Sequence, residues 1–311
     1  MIYFLLASCI LTFIFLYIYQ DYFVKNNYYD KINLRSSHTT KATRVGGISI
    51  FSSLFIITIY LYFQTNEIFD FSLFIPLGIL ALIGLYDDVY QLDFKLKFLF
   101  QLIVAKIIID QGIYFTSLGG LFGIYEISYL FSQPLTIIFI LTIINAHNFC
   151  DGIDGLAITE SIKAFIITIL LINYTDIRGI TFITYLLVLP LVILYYFNFR
   201  KKNKVFLGDS GSLVLGALIA ISIITLSSYN QINREEIDII SLIFICYLYP
   251  LIDMIRVVFI RLKNKKSPFI ADRNHIHHLL VSRGFSHIVS TLIISSTSLS
   301  LQIIIYLLIT N

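Results

Sequence analysis

Long hydrophobic runs separated by short polar segments dominate this chain. At a rise of about 1.5 Å per residue, runs of about 20 residues are long enough to cross a bilayer as α-helices. The pattern predicts an all-α integral membrane protein, folded as one polytopic domain over residues 1–311. Its ten predicted transmembrane helices cover residues 1–24, 46–64, 71–86, 98–116, 131–146, 157–173, 179–198, 209–227, 238–262 and 288–309.

Composition excludes a soluble fold. Of the 311 residues, 58% are hydrophobic and only 13% are charged, whereas soluble domains have about 25% charged residues. The first run has neither a basic segment before it nor a small-residue cleavage site, so we expect it to stay as a helix and not to be removed as a signal peptide. The three cysteines have no metal-ligand spacing and suggest no disulfide framework.

Basic residues are distributed unevenly among the loops. Loops that would share one side of the membrane hold 17 of the 22 lysines and arginines, at 25–44, 95–97, 200–204 and 261–283. The opposite loops hold only Arg178 and Arg234. By the positive-inside rule, the basic side is cytoplasmic and both termini lie outside.

Unusual polar residues recur on that same side, at helix ends where a buried charge is expensive. They form the five segments RSSHTTKATRVGG (35–47), DDVYQLDFKLK (87–97), NAHNFCDGIDG (145–155), FLGDSGS (206–212) and DRNHIHH (272–278). We therefore expect a functional site at the cytoplasmic face of the membrane.

The second segment begins with the carboxylates of Asp87 and Asp88. A compact loop would bring the ammonium of Lys95 near a phosphate held there, although adjacent carboxylates also commonly end a helix in solvent. The Gly46-Gly47 pair after Arg44 is equally ambiguous alone, because such pairs often join a loop to a helix. In context, Arg44 and the glycines supply a cation and a flexible backbone for anionic ligands.

In the third segment, four polar residues recur every three positions, which in a helix would place them along one face. They are Asn145, Asn148, Asp151 and Asp154. A helix cap would explain one of them but not four. Gly152 and Gly155 would let a ligand approach the backbone closely.

Asp209 begins another hydrophobic run, where a carboxylate either caps a helix or binds a hard cation. Carboxylates from three loops, with an amide oxygen from Asn148, form the oxygen-rich set that Mg²⁺ prefers. The joint pattern favours a magnesium site, in which we expect Mn²⁺ to substitute for Mg²⁺.

The last segment combines His275, His277 and His278 with Arg273. Because the three histidines lie beside cationic side chains, they suit hydrogen-bond donation to phosphate oxygens better than coordination of a metal cation. A zinc site and a basic loop that contacts lipid headgroups remain alternatives.

Together the five segments resemble the polyprenyl-phosphate N-acetylhexosamine-1-phosphate transferases, the membrane family that includes the bacterial MraY and WecA enzymes. The resemblance extends from Arg35 to His278, and NAHNFCDGIDG followed by FLGDSG and HIHH is its most specific part. It implies a UDP-N-acetylhexosamine donor, an undecaprenyl phosphate acceptor, release of UMP and bound Mg²⁺. We expect no nucleic acid partner, and a homodimer is left open.

The resemblance also implies roles for individual residues. Those beside the phosphate acceptor would be Asp87, Asp88 and Lys95. The Mg²⁺ ligands would be Asn148 and Asp209. The uridine-nucleotide pocket would hold Asp151, Asp154 and Phe206, and the diphosphate and sugar would face Arg273, His275, His277 and His278.

Departures from the family pattern point to a branch. The first loop lacks the prolines that usually precede Arg-Gly-Gly in the family, and reads KATRVGG (41–47) instead. His275-Ile276-His277-His278 resembles the WecA-like and O-antigen-initiating branches, as does Arg35-Ser36-Ser37-His38. A muramoyl-pentapeptide substrate is therefore disfavoured, while the identity of the N-acetylhexosamine stays open.

Two other classes of protein compete with this interpretation. A lipid-linked sugar transporter or flippase would need polar residues at membrane depth and discontinuous helices near the midplane. Asp253 and Arg256 are the main candidates for such polar residues inside a span, and at helix spacing they could pair with each other. An inactive scaffold for a glycan-assembly complex would have the helices but no need for the five polar segments.

Overall fold

The computed structural model describes residues 2–30, 41–64, 71–172, 179–233, 238–267 and 272–310, which are almost entirely helical. The helices are α1 (Ile2–Lys25), α2 (Gly46–Phe63), α3 (Phe74–Tyr90), α4 (Phe94–Asp110), α5 (Tyr129–Cys150), α6 (Leu156–Ile172), α7 (Ile180–Asn198), α8 (Gly208–Asn233), α9 (Ile239–Lys263), α10 (Ile276–Ser282) and α11 (His287–Thr310). Two short strands, β1 (Ala42–Thr43) and β2 (Lys204–Val205), complete the regular structure together with 3₁₀ turns at Phe71–Leu73 and Leu121–Gly123.

Each of the ten predicted spans corresponds to one helix, and the short α10 was not predicted. Several predicted boundaries were wrong. The helix predicted over 98–116 is α4, which begins at Phe94 and ends at Asp110, and α3 and α5 continue to Tyr90 and Cys150. The polar residues at these ends bond to neighbouring helices, so each helix continues beyond its apolar run.

The all-α membrane architecture is confirmed. Within the described part of the chain, eight helices are long and apolar enough to cross a membrane. The other two predicted spans, α4 and α6, have 17 residues each, at the lower end of the spanning range. The protein is therefore a multi-pass membrane protein, and the count of ten spans stays a prediction.

Helix α8 lies at the centre of the bundle, with 94% of its apolar window buried, against 17% for α1. Glycines allow its neighbours to approach it closely. A Cβ on Gly47 of α2 would lie 2.0 Å from the nitrogen of Gly211, and a Cβ on Gly84 of α3 would lie 2.4 Å from the nitrogen of Ser210. Since lipid gives helices no hydrophobic drive to associate, such backbone packing is a main source of cohesion.

A two-residue parallel bridge fixes the first loop against the start of α8. Ala42 pairs with Lys204 and Thr43 with Val205. The bonding then continues through the amides of Gly46 and Gly47, which donate to the carbonyls of residues 206 and 207 at 3.0 and 2.8 Å. The β1–β2 bridge therefore places Arg44 beside Asp209.

Helix α9 is broken near its middle. Tyr247 has φ −149° and ψ 63°, outside the helical region. Pro250, three residues later, has no N–H to donate to the preceding turn. The part of α9 after the break therefore follows its own direction, and it carries the supports of the last polar segment.

Candidate active site

The described parts of all five polar segments meet at one end of the bundle, around the N terminus of α8. The fold therefore brings the five segments together in space. Residues 35–40 of the first segment, including Arg35-Ser36-Ser37-His38, lie outside the described residues. Arg178 and Arg234 of the opposite loops also lie outside them.

Asp88 is a buried cap for α8. Its carboxylate accepts hydrogen bonds from the amides of Asp209 and Ser210 at 2.9 and 3.1 Å. The guanidinium of Arg44 lies 3.5 Å from the same carboxylate and 2.8 Å from that of Asp30. Because the side chain of Asp88 is fully buried, its place in the structure is to hold the first turn of α8.

Asp87 and Asp209 share one lysine. The ammonium of Lys97 lies 3.1 Å from the carboxylate of Asp87 and also bonds the carboxylate of Asp209. Lys95, which the sequence placed beside the acidic pair, is exposed. The structure corrects this position to Lys97, because α4 begins earlier than predicted and turns residue 97 towards the bundle. We call Asp87, Asp88, Asp209, Lys97 and Arg44 the carboxylate cluster.

The end of α5 brings Asn148 to the same place. Its amide donates to the hydroxyl of Ser212, one turn into α8, at 2.8 Å. One turn earlier, the amide of Asn145 donates to Gln101 of α4 at 2.8 Å. The predicted four-residue stripe is wrong beyond Asn148, because α5 ends at Cys150.

Asp151 lies in the turn that follows α5. Burial and the nearby Asp209 carboxylate raise the pKa of Asp151 to about 7. Arg44 acts in the opposite direction but is not sufficient to offset these two effects. Burial is the larger of the two causes, and the carboxylate of Asp209 adds to it.

Asp154 lies in a different environment, although it is only three residues away. Its carboxylate is 2.6 Å from the ammonium of Lys204 and 2.8 Å from Nδ1 of His287. Burial acts to raise the pKa of Asp154, but these two partners hold it below its usual value. The ammonium of Lys204 also lies 5.1 Å from the ring centre of Phe206, so Asp154 and Phe206 are brought together as predicted.

Residues 272–278, which we call the histidine loop, are held by one face of α9. Asp253 accepts from Nδ1 of His275 at 2.7 Å and from the amide of residue 276 at 3.0 Å. Asp272 pairs with Arg261 at 2.9 Å. Asp253 and Arg256, the candidate midplane pair, form an ion pair in which a guanidinium nitrogen lies 2.8 Å from a carboxylate oxygen. Asp253 also accepts the hydrogen bonds that hold the histidine loop.

The three histidines have different surroundings. His277 is fully buried, and its Nδ1 lies 3.2 Å from the hydroxyl of Tyr249. Burial and the adjacent histidines lower the pKa of His277 well below its usual value, and the pKa of His278 to about 4. Both imidazoles are therefore neutral at pH 7. Arg273 is exposed at the start of the loop.

The histidine loop contacts the turn after α5. A Cβ added to Gly152 would lie 2.2 Å from Nε2 of His277, and this ring nitrogen has no hydrogen-bond partner among the described residues. The glycine therefore makes room for the histidine, and Nε2 is directed at the turn that carries Asp151 and Asp154.

The oxygen atoms of these side chains suit a hard divalent cation only if waters or substrate phosphates supply its remaining ligands. No three His, Cys, Asp or Glu side chains converge as a metal cage in the described part of the chain. Mg²⁺ binds typically through one or two carboxylates together with waters and substrate phosphates. Asp209 and Asn148 fit that pattern, and Asp87 and Asp209 share the single ammonium of Lys97, so the charge of their two carboxylates is only partly offset.

Sequence reasoning missed three residues of this site. Lys97 shares the inward face of α4 with Gln101, one turn later, and this spacing was the available signal. In the sequence analysis Lys204 served only as one of the basic residues that predict membrane orientation, although it lies two residues before Phe206. His287 gave no signal, because it follows a Gly-Phe-Ser turn and only the fold brings it to Asp154.

Comparison with known proteins agrees with this geometry. Residues 70–227 match the family described as glycosyl transferase family 4. The undecaprenyl-phosphate alpha-N-acetylglucosaminyl 1-phosphate transferase of Yersinia pestis is 31% identical over 279 residues, which cover 88% of this chain and 74% of that protein. The protein of the same name from Escherichia coli (strain K12) is 30% identical over 289 residues, with 91% and 77% covered.

A third relative is of similar identity. The probable undecaprenyl-phosphate N-acetylglucosaminyl 1-phosphate transferase of Bacillus subtilis (strain 168) is 32% identical over 270 residues, which cover 85% of this chain and 73% of that protein. The chain therefore belongs to glycosyl transferase family 4, within the polyprenyl-phosphate N-acetylhexosamine-1-phosphate transferases that its motifs resemble.

Proposed function

We propose that this protein transfers an N-acetylhexosamine 1-phosphate group from a UDP-sugar to undecaprenyl phosphate, forming undecaprenyl-diphosphate-sugar and UMP. The observation that carries the proposal is the carboxylate cluster at the N terminus of α8, because it gathers an excess of carboxylates beside cations at one end of a membrane bundle. The names of the similar proteins support the same acceptor and the same transferred group.

An apolar groove suits the lipid acceptor. It has a volume of about 260 Å³ and is lined by α4, α5 and α9, with Phe98, Leu141, Asn145 and Val258 among its walls. Asn145 bonds Gln101, which lies one turn from Lys97 on α4. An isoprenoid chain in this groove would therefore present its phosphate to the carboxylate cluster.

The donor nucleotide would lie on the other side of Asp209. Beside the turn after α5, the ammonium of Lys204 pairs with the carboxylate of Asp154 and also lies over the ring of Phe206. The histidine loop closes over the same turn through His277 and Gly152. We assign the uridine part to the first group of residues, and the diphosphate and sugar to the histidine loop.

In the reaction, an oxygen of the lipid phosphate attacks the β-phosphorus of the donor, and the bond to the UMP oxygen breaks. The lipid phosphate is mostly ionised at pH 7, since a second phosphate pKa is about 6. A strong base is therefore optional, and Asp87 orients the acceptor phosphate through Lys97. Arg44 and Lys97 offset the repulsion between the two anionic substrates.

We further propose that Asp209 and Asn148 hold Mg²⁺, with Mn²⁺ as a substitute. The ion supplies charge neutralisation for the diphosphate and for the departing UMP. Asp209 provides the carboxylate, and the bond of Asn148 to Ser212 orients its amide beside the same helix turn. Activity should disappear in the presence of a chelator and return when Mg²⁺ is added in excess.

The site is proposed to face the cytoplasm of a bacterial inner membrane, and the product to start O-antigen or another cell-envelope glycan. The basic loops support this orientation through the positive-inside rule. A cysteine introduced at Lys265 should resist an impermeant thiol reagent in intact cells and react after lysis. Labelling in intact cells would show the opposite orientation.

A transfer assay tests the proposed reaction directly. Purified protein is incubated with undecaprenyl phosphate and a panel of radiolabelled UDP-N-acetylhexosamines, and both lipid-extracted label and released UMP are measured. We expect equal amounts of labelled lipid and UMP with at least one sugar. A transporter or an inactive scaffold would release no UMP, and the panel identifies which sugar is used.

A further inference from the structure

A buried histidine outside the carboxylate cluster links three helices. His147 of α5 is fully buried. Its Nδ1 lies 2.5 Å from the hydroxyl of Tyr247 in α9, and its Nε2 lies 3.0 Å from the hydroxyl of Ser161 in α6. Both ring nitrogens therefore have partners, and we call these three residues the His147 bridge.

The direction of each bond in the His147 bridge follows from the hydrogens available. The hydroxyl of Ser161 donates its one hydrogen to the carbonyl of Ala157 at 2.9 Å. Its oxygen must then accept from the ring, so the proton of His147 lies on Nε2. Nδ1 is left as an acceptor, and the hydroxyl of Tyr247 donates to it. The hydrogens of Ser161, His147 and Tyr247 therefore have a single arrangement, and the bond to Nδ1 fixes the orientation of the Tyr247 side chain.

Tyr247 is the residue at which α9 breaks. Backbone bonding does not set the direction of the helix there, because Pro250 cannot donate to the preceding turn. The bond from its hydroxyl to His147 holds the break in place. Beyond the break, Tyr249 bonds His277 at 3.2 Å and Asp253 bonds His275 at 2.7 Å. Two supports of the histidine loop thus depend on the direction that the break gives to α9.

We propose that His147 is a positioning residue that fixes the histidine loop relative to the Asn148 end of α5. This inference rests on the proposed function, since it assigns the histidine loop to the sugar-phosphate donor. His147 directly precedes Asn148, and the loop meets the turn after α5 at Gly152. A shift of the break would change the distance between the donor and the carboxylate cluster, to which phosphoryl transfer is sensitive.

The test compares variants that remove one bond each. Tyr247→Phe removes the hydroxyl, Ser161→Ala removes the second partner of the ring, and His147→Leu removes both bonds. The matched control is Ser222→Ala, because Ser222 is also buried and also donates to a carbonyl four residues earlier, at 2.8 Å, but it has no contact with His147 among the described residues. Steady-state kinetics with varied UDP-sugar and varied lipid phosphate, together with thermal unfolding in detergent, are measured for each.

We expect Tyr247→Phe to lower kcat/KM for the UDP-sugar about tenfold, while the KM for lipid phosphate changes less than twofold. Ser161→Ala should show a smaller loss of the same kind, and Ser222→Ala none. The double variant Tyr247→Phe/His147→Leu should lose no more than His147→Leu alone, because both remove the same bond. His147→Asn, which retains an acceptor near the position of Nδ1, should recover part of the loss.

Three outcomes are decisive. If the unaltered protein transfers no sugar phosphate, the proposed function itself fails. If the unaltered protein is active and the bridge variants match Ser222→Ala, the inference about His147 is overturned. It is also overturned if donor and acceptor kinetics decline together in proportion to lost thermal stability, because that would show a purely structural bond.

Discussion

The carboxylate cluster and the histidine loop lie at the same end of the bundle but are built in opposite ways. In the cluster, Asp87 and Asp209 share the single ammonium of Lys97, and burial together with the nearby Asp209 carboxylate raises the pKa of Asp151 to about 7. In the histidine loop, Asp253 and Asp272 each have a cationic or imidazole partner. One region has charge left to bind a cation and anions, whereas the other is internally paired.

The comparison separates chemistry from positioning. An uncompensated group of carboxylates costs free energy in the folded protein, and its retention indicates a ligand that offsets the charge. A network of paired carboxylates on one face of a broken helix fixes distances instead. Variants of the cluster should therefore abolish turnover, and variants around the histidine loop should mainly affect the use of the donor.

The largest effect is expected for Asp209→Asn. This change keeps the shape of the side chain but removes the carboxylate proposed to hold Mg²⁺, and we expect turnover to fall at least ~10²-fold. Asp110→Asn is the control, because Asp110 is an exposed carboxylate in a pair with Lys106 at the other end of α4. Turnover of Asp209→Asn near that of the control, measured as UMP release, would contradict the proposed metal site.

The next largest effect is expected for Lys97→Met. The change leaves Asp87 and Asp209 without their shared cation, so kcat/KM for lipid phosphate should fall about 30-fold. Lys95→Met is the matched variant, because Lys95 lies two residues away on the same helix but is exposed. We expect it to lose less than threefold, and the reverse order would restore Lys95 as the lysine of the acidic motif.

A smaller loss is expected for Gly152→Ala. The added Cβ would lie 2.2 Å from Nε2 of His277, so the histidine loop must move away from the turn after α5. We expect kcat/KM for the UDP-sugar to fall about tenfold with little change in the KM for lipid phosphate. Gly78→Ala should have no such effect, because its Cβ would meet Phe51 at an ordinary 3.6 Å. Equal losses for both substrates would place His277 away from the donor.

The smallest effect concerns pH and the stability of the chelator-treated protein. The pKa of Asp151 is raised to about 7 in the folded state, above its unfolded value of about 3.9. Its protonated form therefore contributes stability below about pH 4, and this contribution is lost as the pH rises through about 7. Asp151→Asn should raise the melting temperature by a few degrees at pH 8 and by less at pH 5.5. An equal change at both pH values would show that Asp151 does not titrate in this range.

Much of the fold could be predicted because membrane helices are determined locally. Each span needs only a long apolar run, and the ten predicted spans all correspond to helices. The boundaries of α3, α4 and α5 could not be placed, because their last polar turns are stabilised by partners from other helices. Asp88, for example, lies in the last turn of α3 but caps α8 through the amides of Asp209 and Ser210.

The sequence by itself determined the membrane architecture, the polar end of the bundle and the family, since each depends on composition or on motifs within one segment. Tertiary structure decided which residues are partners. It placed Lys97 and not Lys95 between Asp87 and Asp209, and it brought His287 to Asp154. These pairings join residues far apart in the chain, and their distances follow from the close packing of helices around α8, which no single segment encodes.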